Sequence, residues 1–252
     1  MSDRLSTFVT SVSEVTDLTP TLRQISFGGG LKEFVPVGGD QFLYVLLPPP
    51  GRSELTVDST FSWERYGQMS DSERPVGAYY SVRRCARDRI DMWFVLHGDG
   101  GHAAEWAARA RIGDVAALWG PRRAFHPPPT TCSYLFVTDE TGYGAVAAVL
   151  DELLAADARV VVDVIAETHG DSCGAEFPTG VGVDVRWVSR AGRPPGTTTL
   201  LLDAVRDLDI ADDAYAFGAG ESRHMMAVRA HLCRRVGLCD TQVSMTGYWR
   251  MK

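Results

Sequence analysis

The sequence lacks most of the signals that mark secreted, membrane-spanning or metal-binding proteins. Its five cysteines are odd in number and include no Cys-x-x-Cys pair, which argues against a disulfide framework and against a zinc or iron–sulfur site. No apolar run approaches the ~20 residues that a bilayer-spanning helix needs, and residues 1–6 hold no signal-peptide core. We therefore predict a cytoplasmic protein with no membrane partner and no metal ligands of its own.

Positive charge is also scarce. The 25 lysines and arginines are outnumbered by 32 aspartates and glutamates, which gives a formal net charge of −7. A surface that binds nucleic acid or anionic lipid needs the opposite balance. The apolar content of 45% is ordinary for a globular protein, and 252 residues suffice for two modest domains. We expect a small-molecule substrate, no nucleic-acid partner, and a monomer or weak dimer.

The first half of the chain is predicted to form short strands. β-Branched and aromatic segments alternate with glycine, proline and aspartate, and one alanine-rich helix is predicted over 102–111. The predicted strands cover 8–15, 22–27, 42–47, 79–83, 90–96 and 114–119. Six strands with one inserted helix indicate a small antiparallel barrel. Residues 51–75 are predicted to be a loop.

The second half has a different rhythm. The stiff segment Pro127-Pro128-Pro129 is the best boundary, so the predicted domains are 1–127 and 130–252. Predicted strands at 133–138, 160–166, 183–188, 214–217 and 242–246 alternate with predicted helices at 142–156, 199–206 and 221–236. This alternation indicates a parallel sheet with helices on both faces, which binds ligands at the carboxyl ends of its strands.

Two segments of the barrel half suit a flavin dinucleotide. Residues 80–83, Tyr-Ser-Val-Arg, carry a ring, a hydroxyl and a guanidinium, and residues 97–107 run from a strand through a glycine-rich turn into the helix. Such a turn offers unpaired N–H groups and a helix dipole to an anion. Each segment also has a structural interpretation: Tyr80 as a core tyrosine, Ser81 as a strand hydroxyl bonded locally, Arg83 as a solvated strand arginine and His102 as an exposed residue at a helix start.

The order of motifs along the chain resembles one family. Tyr-Ser-Val-Arg at 80–83, the glycine-rich turn with Trp106 and Ala107, and Gly-Asp-Val with Trp-Gly-Pro-Arg between 113 and 122 resemble the FAD domain of siderophore-interacting proteins. Asp-Glu-Thr at 139–141, Gly-Glu at 220–221 and Gly-Tyr-Trp-Arg at 247–250 match the same family in the same order. These proteins are flavin-dependent ferric-siderophore reductases of the ferredoxin-reductase-like superfamily.

The resemblance implies a fold and a reaction. The expected fold is a six-stranded antiparallel FAD-binding barrel followed by a parallel-sheet nucleotide-binding domain, with the active cleft between them and the C-terminal tail closing it. The expected reaction passes electrons from NADPH or NADH through FAD to a ferric siderophore.

The resemblance also implies roles for particular residues. Tyr80 and Ser81 are the expected catalytic residues, Tyr80 stacking on the flavin and Ser81 bonding near its N5 atom. The other expected FAD contacts are Val82, Arg83, His97, Gly100, Gly101, His102, Ala103 and Trp106. Thr141, Gly220 and Glu221 are expected at the nicotinamide nucleotide, Trp249 at the flavin, and Tyr248, Arg250 and Lys252 at the substrate.

Arg190 is a further candidate, because an arginine just after a strand can pair the 2′-phosphate of NADPH; Arg193 is another. The structural interpretation is a surface loop arginine.

The sequence departs from the family at both cofactor sites. Ala78 stands where the family has an arginine expected to hold the pyrophosphate, and His102 replaces a proline. Gly142-Tyr143-Gly144 replaces Ala-Leu-Pro, so Tyr143 is expected either to stack on a ring or to block the nucleotide cleft. These changes leave open an FAD-binding tailoring enzyme for an organic metabolite, with flavin as a scaffold and without iron or NAD(P)H. A non-enzymatic ferric-chelate-binding protein is the third interpretation.

Overall fold

The computed structural model describes residues 5–96, 101–156, 159–170 and 176–251. The chain divides into two units, Met1–Arg123 and Ala124–Lys252. Across the described ranges, no helix combines the length and the apolar character that crossing a membrane requires.

The N-terminal unit is a closed antiparallel barrel, as the sequence predicts. Its strands follow one another around the barrel in the order β1-β2-β5-β4-β3-β6. They are β1 (Ser6–Thr19), β2 (Leu22–Gly28), β3 (Phe42–Leu47), β4 (Val76–Ala86), β5 (Arg89–Val95) and β6 (Val115–Arg122). Closure removes free strand edges from this sheet, because each strand is paired on both sides.

The barrel interior is filled by the inward residues of these strands. Ile25, Phe27, Leu43, Ile90 and Phe94 are fully buried there. Helix α2 (His102–Arg109) packs on this core through its buried Ala107. Each large side chain buried in this way stabilises the fold by about 1.5–3 kcal/mol of transfer free energy.

The segment between β3 and β4 contains a helix that the sequence analysis missed. Helix α1 (Trp63–Gln68) begins at Ser62, whose hydroxyl accepts a hydrogen bond from the Arg65 N–H at 3.2 Å. The Trp63 ring meets those of Tyr44 and Trp119 edge-on, with centroids 5.0 and 5.3 Å apart. The predicted loop is therefore wrong at this position, because a short cap and aromatic packing on the outside of the barrel fix a helical turn.

The C-terminal unit is a five-stranded parallel sheet with helices. Its strands lie in the order β11-β10-β7-β8-β9. They are β7 (Ser133–Thr138), β8 (Val161–Thr168), β9 (Val183–Ser189), β10 (Tyr215–Glu221) and β11 (Val243–Trp249). The first strand, β7, lies in the middle of this sheet. The chain adds β8 and β9 on one side of β7 and then crosses over to add β10 and β11 on the other side, so the strand order reverses between β7 and β10. That reversal is a topological switch point, where open parallel sheets bind ligands beyond the carboxyl ends of the strands.

Three helices pack on this sheet. They are α3 (Tyr143–Ala156), α4 (Leu200–Arg206) and α5 (Ser222–His231), the last followed by a π-helical turn at Leu232–Val236. A single turn of 3-10 helix, Glu140–Gly142, joins β7 to α3. Only a glycine fits at position 142, because a Cβ there would lie 2.3 Å from Thr138 Oγ1 and 2.7 Å from Ala219 Cβ. A glycine therefore lets α3 approach the sheet at the switch point.

Candidate functional site

The predicted flavin strand lies in β4, where alternate side chains face opposite sides. Tyr80 and Val82 face the barrel core, and the Tyr80 ring lies 4.1 Å from that of Phe94, centroid to centroid. Burial raises the pKa of Tyr80 to about 12. Tyr80 is therefore packed against the barrel core while part of the residue stays accessible, and its phenol stays protonated at neutral pH.

Ser81 and Arg83 lie on the other face of β4. Both side chains are buried, and the Arg83 guanidinium lies over the Trp93 ring at 5.3 Å. A guanidinium on an indole face gains a cation–π attraction. Arg83 is thus a packed cation rather than the solvated arginine of its structural interpretation.

The amino end of α2 provides the predicted anion cradle. Gly101 is the N-cap, and no side chain of the described residues caps this helix. A Cβ built on Gly101 would meet no atom of the described residues within 4 Å, and Gly101 and His102 are both exposed. Exposed N–H groups that no described side chain caps suit a phosphate, so the residues present fit the pyrophosphate of FAD. His97 and Gly100, also predicted here, lie outside the described residues.

The core connects this cradle to the flavin strand. Trp106 of α2 stacks on Phe27 at 6.3 Å and also contacts Phe94 at 6.0 Å, and Phe94 in turn contacts Tyr80. Ala103 packs against the same core cluster. Beside α2 lies a cavity of about 390 Å³. Its lining includes Leu47, Arg52, Val76, His102, Trp106 and Arg109.

At the switch point of the second unit, a buried carboxylate joins four donors. Asp139 is 3% exposed. It accepts hydrogen bonds from the Thr141 N–H at 2.9 Å, the Thr141 hydroxyl at 2.5 Å, the Glu221 N–H at 2.9 Å and the Trp249 Nε1–H at 2.8 Å. Burial raises the pKa of Asp139, and the bonds from Thr141 and Trp249 act in the opposite direction.

Asp139 belongs to the Asp-Glu-Thr motif but is not among the site residues predicted from the sequence. One local signal was available: an aspartate that ends a strand, two residues before a threonine, commonly accepts a bond from the backbone two residues on. The bonds to Glu221 and Trp249 connect residues far apart in sequence, and no local pattern reveals them.

Three predicted nucleotide residues surround Asp139. Thr141 is partly exposed at the start of the turn that leads into α3. Gly220 is a glycine for a steric reason, since a Cβ there would lie 2.8 Å from Asp139 Oδ2. Glu221 is the N-cap of α5, and its carboxylate accepts bonds from the N–H groups of Arg223, His224 and Met251.

Those bonds decide the charge state of Glu221. Burial alone raises the pKa of this carboxyl, but the backbone donors outweigh it and hold the pKa below its usual value. Glu221 is thus ionised, and its carboxylate oxygens are already engaged by backbone N–H groups that follow it in the chain.

The C-terminal tail is anchored inside this unit. Besides the bond from its indole to Asp139, Trp249 accepts a bond at its carbonyl from Ser222 Oγ at 2.8 Å. Tyr248 is partly buried and Arg250 is exposed. Lys252, predicted at the substrate, lies outside the described residues.

Arg190 is buried rather than displayed. Its guanidinium donates to Glu140 at 2.7 and 2.8 Å and to Glu167 at 3.1 Å, and it is 3% exposed. Burial alone lowers the pKa of Arg190, but the two carboxylates raise it above its usual value. The surface-loop interpretation is therefore wrong. The donors that a 2′-phosphate would need are engaged by carboxylates. The neighbouring Arg193 is exposed and donates through Nε to the Arg190 carbonyl at 3.0 Å.

Comparison with known proteins identifies this arrangement. The profile of the siderophore-interacting FAD-binding domain matches residues 11–125, and that of the siderophore-interacting protein family matches residues 131–252. The chain belongs to the siderophore-interacting protein family. Among relatives, the uncharacterized protein Rv2895c of Mycobacterium tuberculosis (strain ATCC 25618 / H37Rv) is 30% identical over 259 residues, which cover 92% of this chain and 86% of that protein.

One further relative and one solved structure are also similar to this chain. The NADPH-dependent ferric-chelate reductase of Escherichia coli (strain K12) is 24% identical over 246 residues, covering 96% of this chain and 92% of that protein. The crystal structure of a siderophore utilization protein from T. fusca superposes with a TM-score of 0.83 at 23% identity, covering 98% and 93% of the two chains. The predicted family and fold are confirmed, and the predicted class of flavin-dependent oxidoreductase is supported.

In this siderophore-interacting protein, the Tyr143 side chain, one of the departures from the family pattern, does not lie where the sequence predicts. Tyr143 is fully buried, donates its hydroxyl to the Glu167 carbonyl, and meets the rings of Phe177 and Trp187 edge-on at 5.4 and 5.6 Å. The expectation that Tyr143 stacks on a ligand or blocks the nucleotide cleft is wrong. The helical turn at Glu140–Gly142 directs this side chain into the interior instead of outward.

The described residues contain no group of three or more histidine, cysteine, aspartate or glutamate side chains placed to hold a metal ion. Of the cysteines, Cys85, Cys132, Cys233 and Cys239 are free thiols.

Proposed function

We propose that this protein is an FAD-dependent ferric-siderophore reductase that takes its electrons from NADPH or NADH in the cytoplasm. One reduced nucleotide supplies two electrons as a hydride, which is sufficient to convert two Fe(III) centres to Fe(II). Bound FAD supplies the conversion between two-electron and one-electron chemistry. The observation that carries the proposal is the exposed amino end of α2, which no described side chain caps, beside the Tyr80 strand in a barrel of the siderophore-interacting FAD-binding type.

The barrel residues have distinct tasks in this proposal. The N–H groups of residues 101–103 would hold the pyrophosphate, and the cavity next to His102 has room for part of the dinucleotide. Tyr80 would contact the flavin with its ring and exchange no proton, because its pKa lies far above physiological pH. Ser81 would hold the flavin through its hydroxyl, near N5.

The α/β unit would bind the nicotinamide nucleotide at the switch point. Thr141 and the Gly220-Glu221 turn lie at the carboxyl ends of neighbouring strands β7 and β10, the usual place for a nucleotide in such sheets. The exposed Arg193 would then be available to its phosphates, while Arg190 holds the loop beneath.

The ferric siderophore is the substrate and brings the iron with its own oxygen ligands. Reduction to Fe(II) weakens the binding of iron by a hard-oxygen chelator, so electron transfer alone releases the metal. Arg250 is exposed in the tail and would attract an anionic chelate.

The alternative function as a tailoring enzyme loses one of its three supports. It rested on changes at Ala78, His102 and Gly142-Tyr143-Gly144, but Tyr143 is a buried core residue, and Gly142 is required by the packing of α3 on the sheet. These residues do not show a rebuilt nucleotide pocket.

The first test is the absorption spectrum of the full chain. We expect a yellow protein whose flavin band is bleached by anaerobic NADPH or NADH and returns when a ferric chelate is added. A yellow protein that neither nucleotide bleaches would instead favour the tailoring enzyme. A colourless protein that cannot be reconstituted with FAD would overturn the flavoprotein proposal.

The second test addresses the cradle. Gly101→Asp places a negative charge where we expect the pyrophosphate, and we expect FAD affinity to fall at least about tenfold, the equivalent of 1.4 kcal/mol. The matched control is Gly170→Asp, since a Cβ on Gly170 also meets no described atom within 4 Å but Gly170 lies in the other unit. Equal FAD affinity in the two variants, measured by calorimetry, would contradict the assignment of this cradle.

A further inference from the structure

Asp139 connects three parts of the α/β unit that are far apart in sequence. Its carboxylate receives donors from Thr141 after β7, from Glu221 at the end of β10, and from the indole of Trp249 at the end of β11. These three partners lie at the carboxyl ends of neighbouring strands, on both sides of the switch point. Asp139 is therefore placed to set the relative positions of the surfaces that surround a bound nucleotide.

We propose that Asp139 is a positioning residue for the nicotinamide nucleotide, acting through Thr141, the Gly220-Glu221 turn and Trp249 without touching the nucleotide itself. This inference rests on the proposed function, because it requires that a nucleotide binds at the switch point. It adds to that function a buried residue, which a comparison of exposed side chains alone would not identify as important for binding.

The ionised carboxylate is the form that fits this position. Three of the four hydrogen-bond partners of Asp139 are N–H groups, which can only donate, and the fourth is the Thr141 hydroxyl. An asparagine has nearly the same shape, but its NH₂ group would face at least one donor, so at least one bond must be lost. The backbone cannot easily move to compensate, because Gly220 already lies against the carboxylate.

The loss is expected to appear in nucleotide binding. A displaced Thr141 or Glu221 turn changes the surface offered to the nucleotide, whereas the barrel residues proposed to hold FAD belong to the other unit. When one bond to the buried carboxylate is lost, Thr141 or the end of β10 is free to shift, and we expect nucleotide binding to weaken by about tenfold.

The test compares Asp139→Asn with Asp163→Asn. Asp163 lies on β8 of the same sheet and is also a carboxyl whose pKa is raised by burial; the donors that the described residues give to Asp139 do not include it. For Asp139→Asn we expect the Kd of the oxidised nucleotide and the KM of the reduced one to rise about tenfold, with kcat and FAD content within about twofold. Asp163→Asn is expected to leave all four quantities unchanged.

A second readout follows the contact itself without nucleotide or turnover. In protein labelled with ¹⁵N-tryptophan, the Trp249 Nε1–H resonance is assigned by its absence in Trp249→Phe. We expect this resonance to shift in Asp139→Asn and to stay in place in Asp163→Asn. Trp249→Phe removes the same bond from the other side, so its effect on nucleotide Kd should not add to that of Asp139→Asn.

The outcomes are distinguishable from a failure of the proposed function. A wild-type protein that binds neither nucleotide would refute the nucleotide site, and the positioning role with it. A wild-type protein that binds nucleotide, with unchanged Kd in both Asp139→Asn and Trp249→Phe, would overturn the positioning role alone. If Asp139→Asn does not fold, Thr141→Val and Trp249→Phe carry the same comparison, and two unchanged Kd values would overturn the inference.

Discussion

The Arg190 guanidinium and the Glu140 carboxylate form two parallel hydrogen bonds, 2.7 and 2.8 Å long. A third bond runs from Arg190 to Glu167, which also accepts the Thr198 hydroxyl at 2.6 Å. One buried cation thus joins the turn after β7 to the end of β8 and to the loop after β9. Bidentate pairs of this kind fix geometry as well as charge.

Removing this cation should cost stability rather than nucleotide choice. In Arg190→Met the two carboxylates lose their partner, and breaking a buried pair costs about 3–5 kcal/mol. The control Arg186→Met removes an exposed pair with Asp207 at 3.4 Å, which is worth about 0–1 kcal/mol. Urea unfolding gives both values, and the ratio of NADPH to NADH affinity should stay constant. A selective loss of NADPH affinity would show that Arg190 holds the 2′-phosphate after all.

Stability at alkaline pH should depend on Tyr80. The pKa of Tyr80 is raised to about 12 from its ordinary value of 10, so between these pH values the unfolded chain loses a proton that the folded chain keeps. The free energy of unfolding therefore falls as pH rises, by about 2 kcal/mol from this residue between these pH values. The stabilising contribution of Tyr80 is fully present only below pH ~10.

Denaturant unfolding at pH values from 9 to 12 measures this effect. In Tyr80→Phe we expect the free energy of unfolding to fall less steeply with pH, whereas Tyr79→Phe, which retains Tyr80, should keep the steep fall of the wild type. Identical profiles for wild type and Tyr80→Phe would contradict the buried position of this phenol.

The approach of α3 to the sheet depends on the missing side chain of Gly142. In Gly142→Ala the new methyl group would lie 2.3 Å from Thr138 Oγ1, which is itself bonded to the Ala219 carbonyl at 3.0 Å. Overpacking of this kind costs about 1–3 kcal/mol. In Gly170→Ala the new methyl group meets no described atom within 4 Å and should change the free energy of unfolding by no more than about 0.5 kcal/mol. Thermal unfolding of both variants compares them, and equal melting temperatures would refute the close approach.

Restoring the family arginine should strengthen flavin binding. In Ala78→Arg a charge-assisted contact to the pyrophosphate becomes available, worth about 1.5–3 kcal/mol, so the Kd for FAD is expected to fall by roughly tenfold or more. Ala86→Arg adds the same charge at the exposed far end of β4 and controls for general electrostatic attraction. Equal FAD affinity in the two variants, measured by flavin fluorescence, would show that the pyrophosphate lies elsewhere.

Local sequence patterns are sufficient to predict most of the strands and helices of the fold. The strands of the barrel were predicted from β-branched and aromatic segments between turn residues, and the parallel sheet from its regular alternation with helices. Helix α1 escaped because six residues with Gly67 among them are too few for a periodic signal; it is stabilised by ring contacts with Tyr44 and Trp119, far away in sequence.

The candidate site was harder to predict, because side-chain direction and long-range partners decide it. Nothing near Tyr143 in sequence shows that its ring turns inward to Phe177 and Trp187. Arg190 finds its bidentate partner fifty residues earlier, and Asp139 binds Trp249 across more than a hundred. The roles of Tyr80, Ser81 and the α2 cradle toward FAD remain predictions for the experiments above.

Strand β9 has only β8 as a partner among the described strands, so its outer backbone groups are not used by the sheet. Asp184 and Arg186 are exposed along it. Charged side chains on such an edge oppose the addition of a strand from another molecule. Because parallel strands pair slowly during folding, we expect these two charges to reduce aggregation of the chain while the sheet assembles.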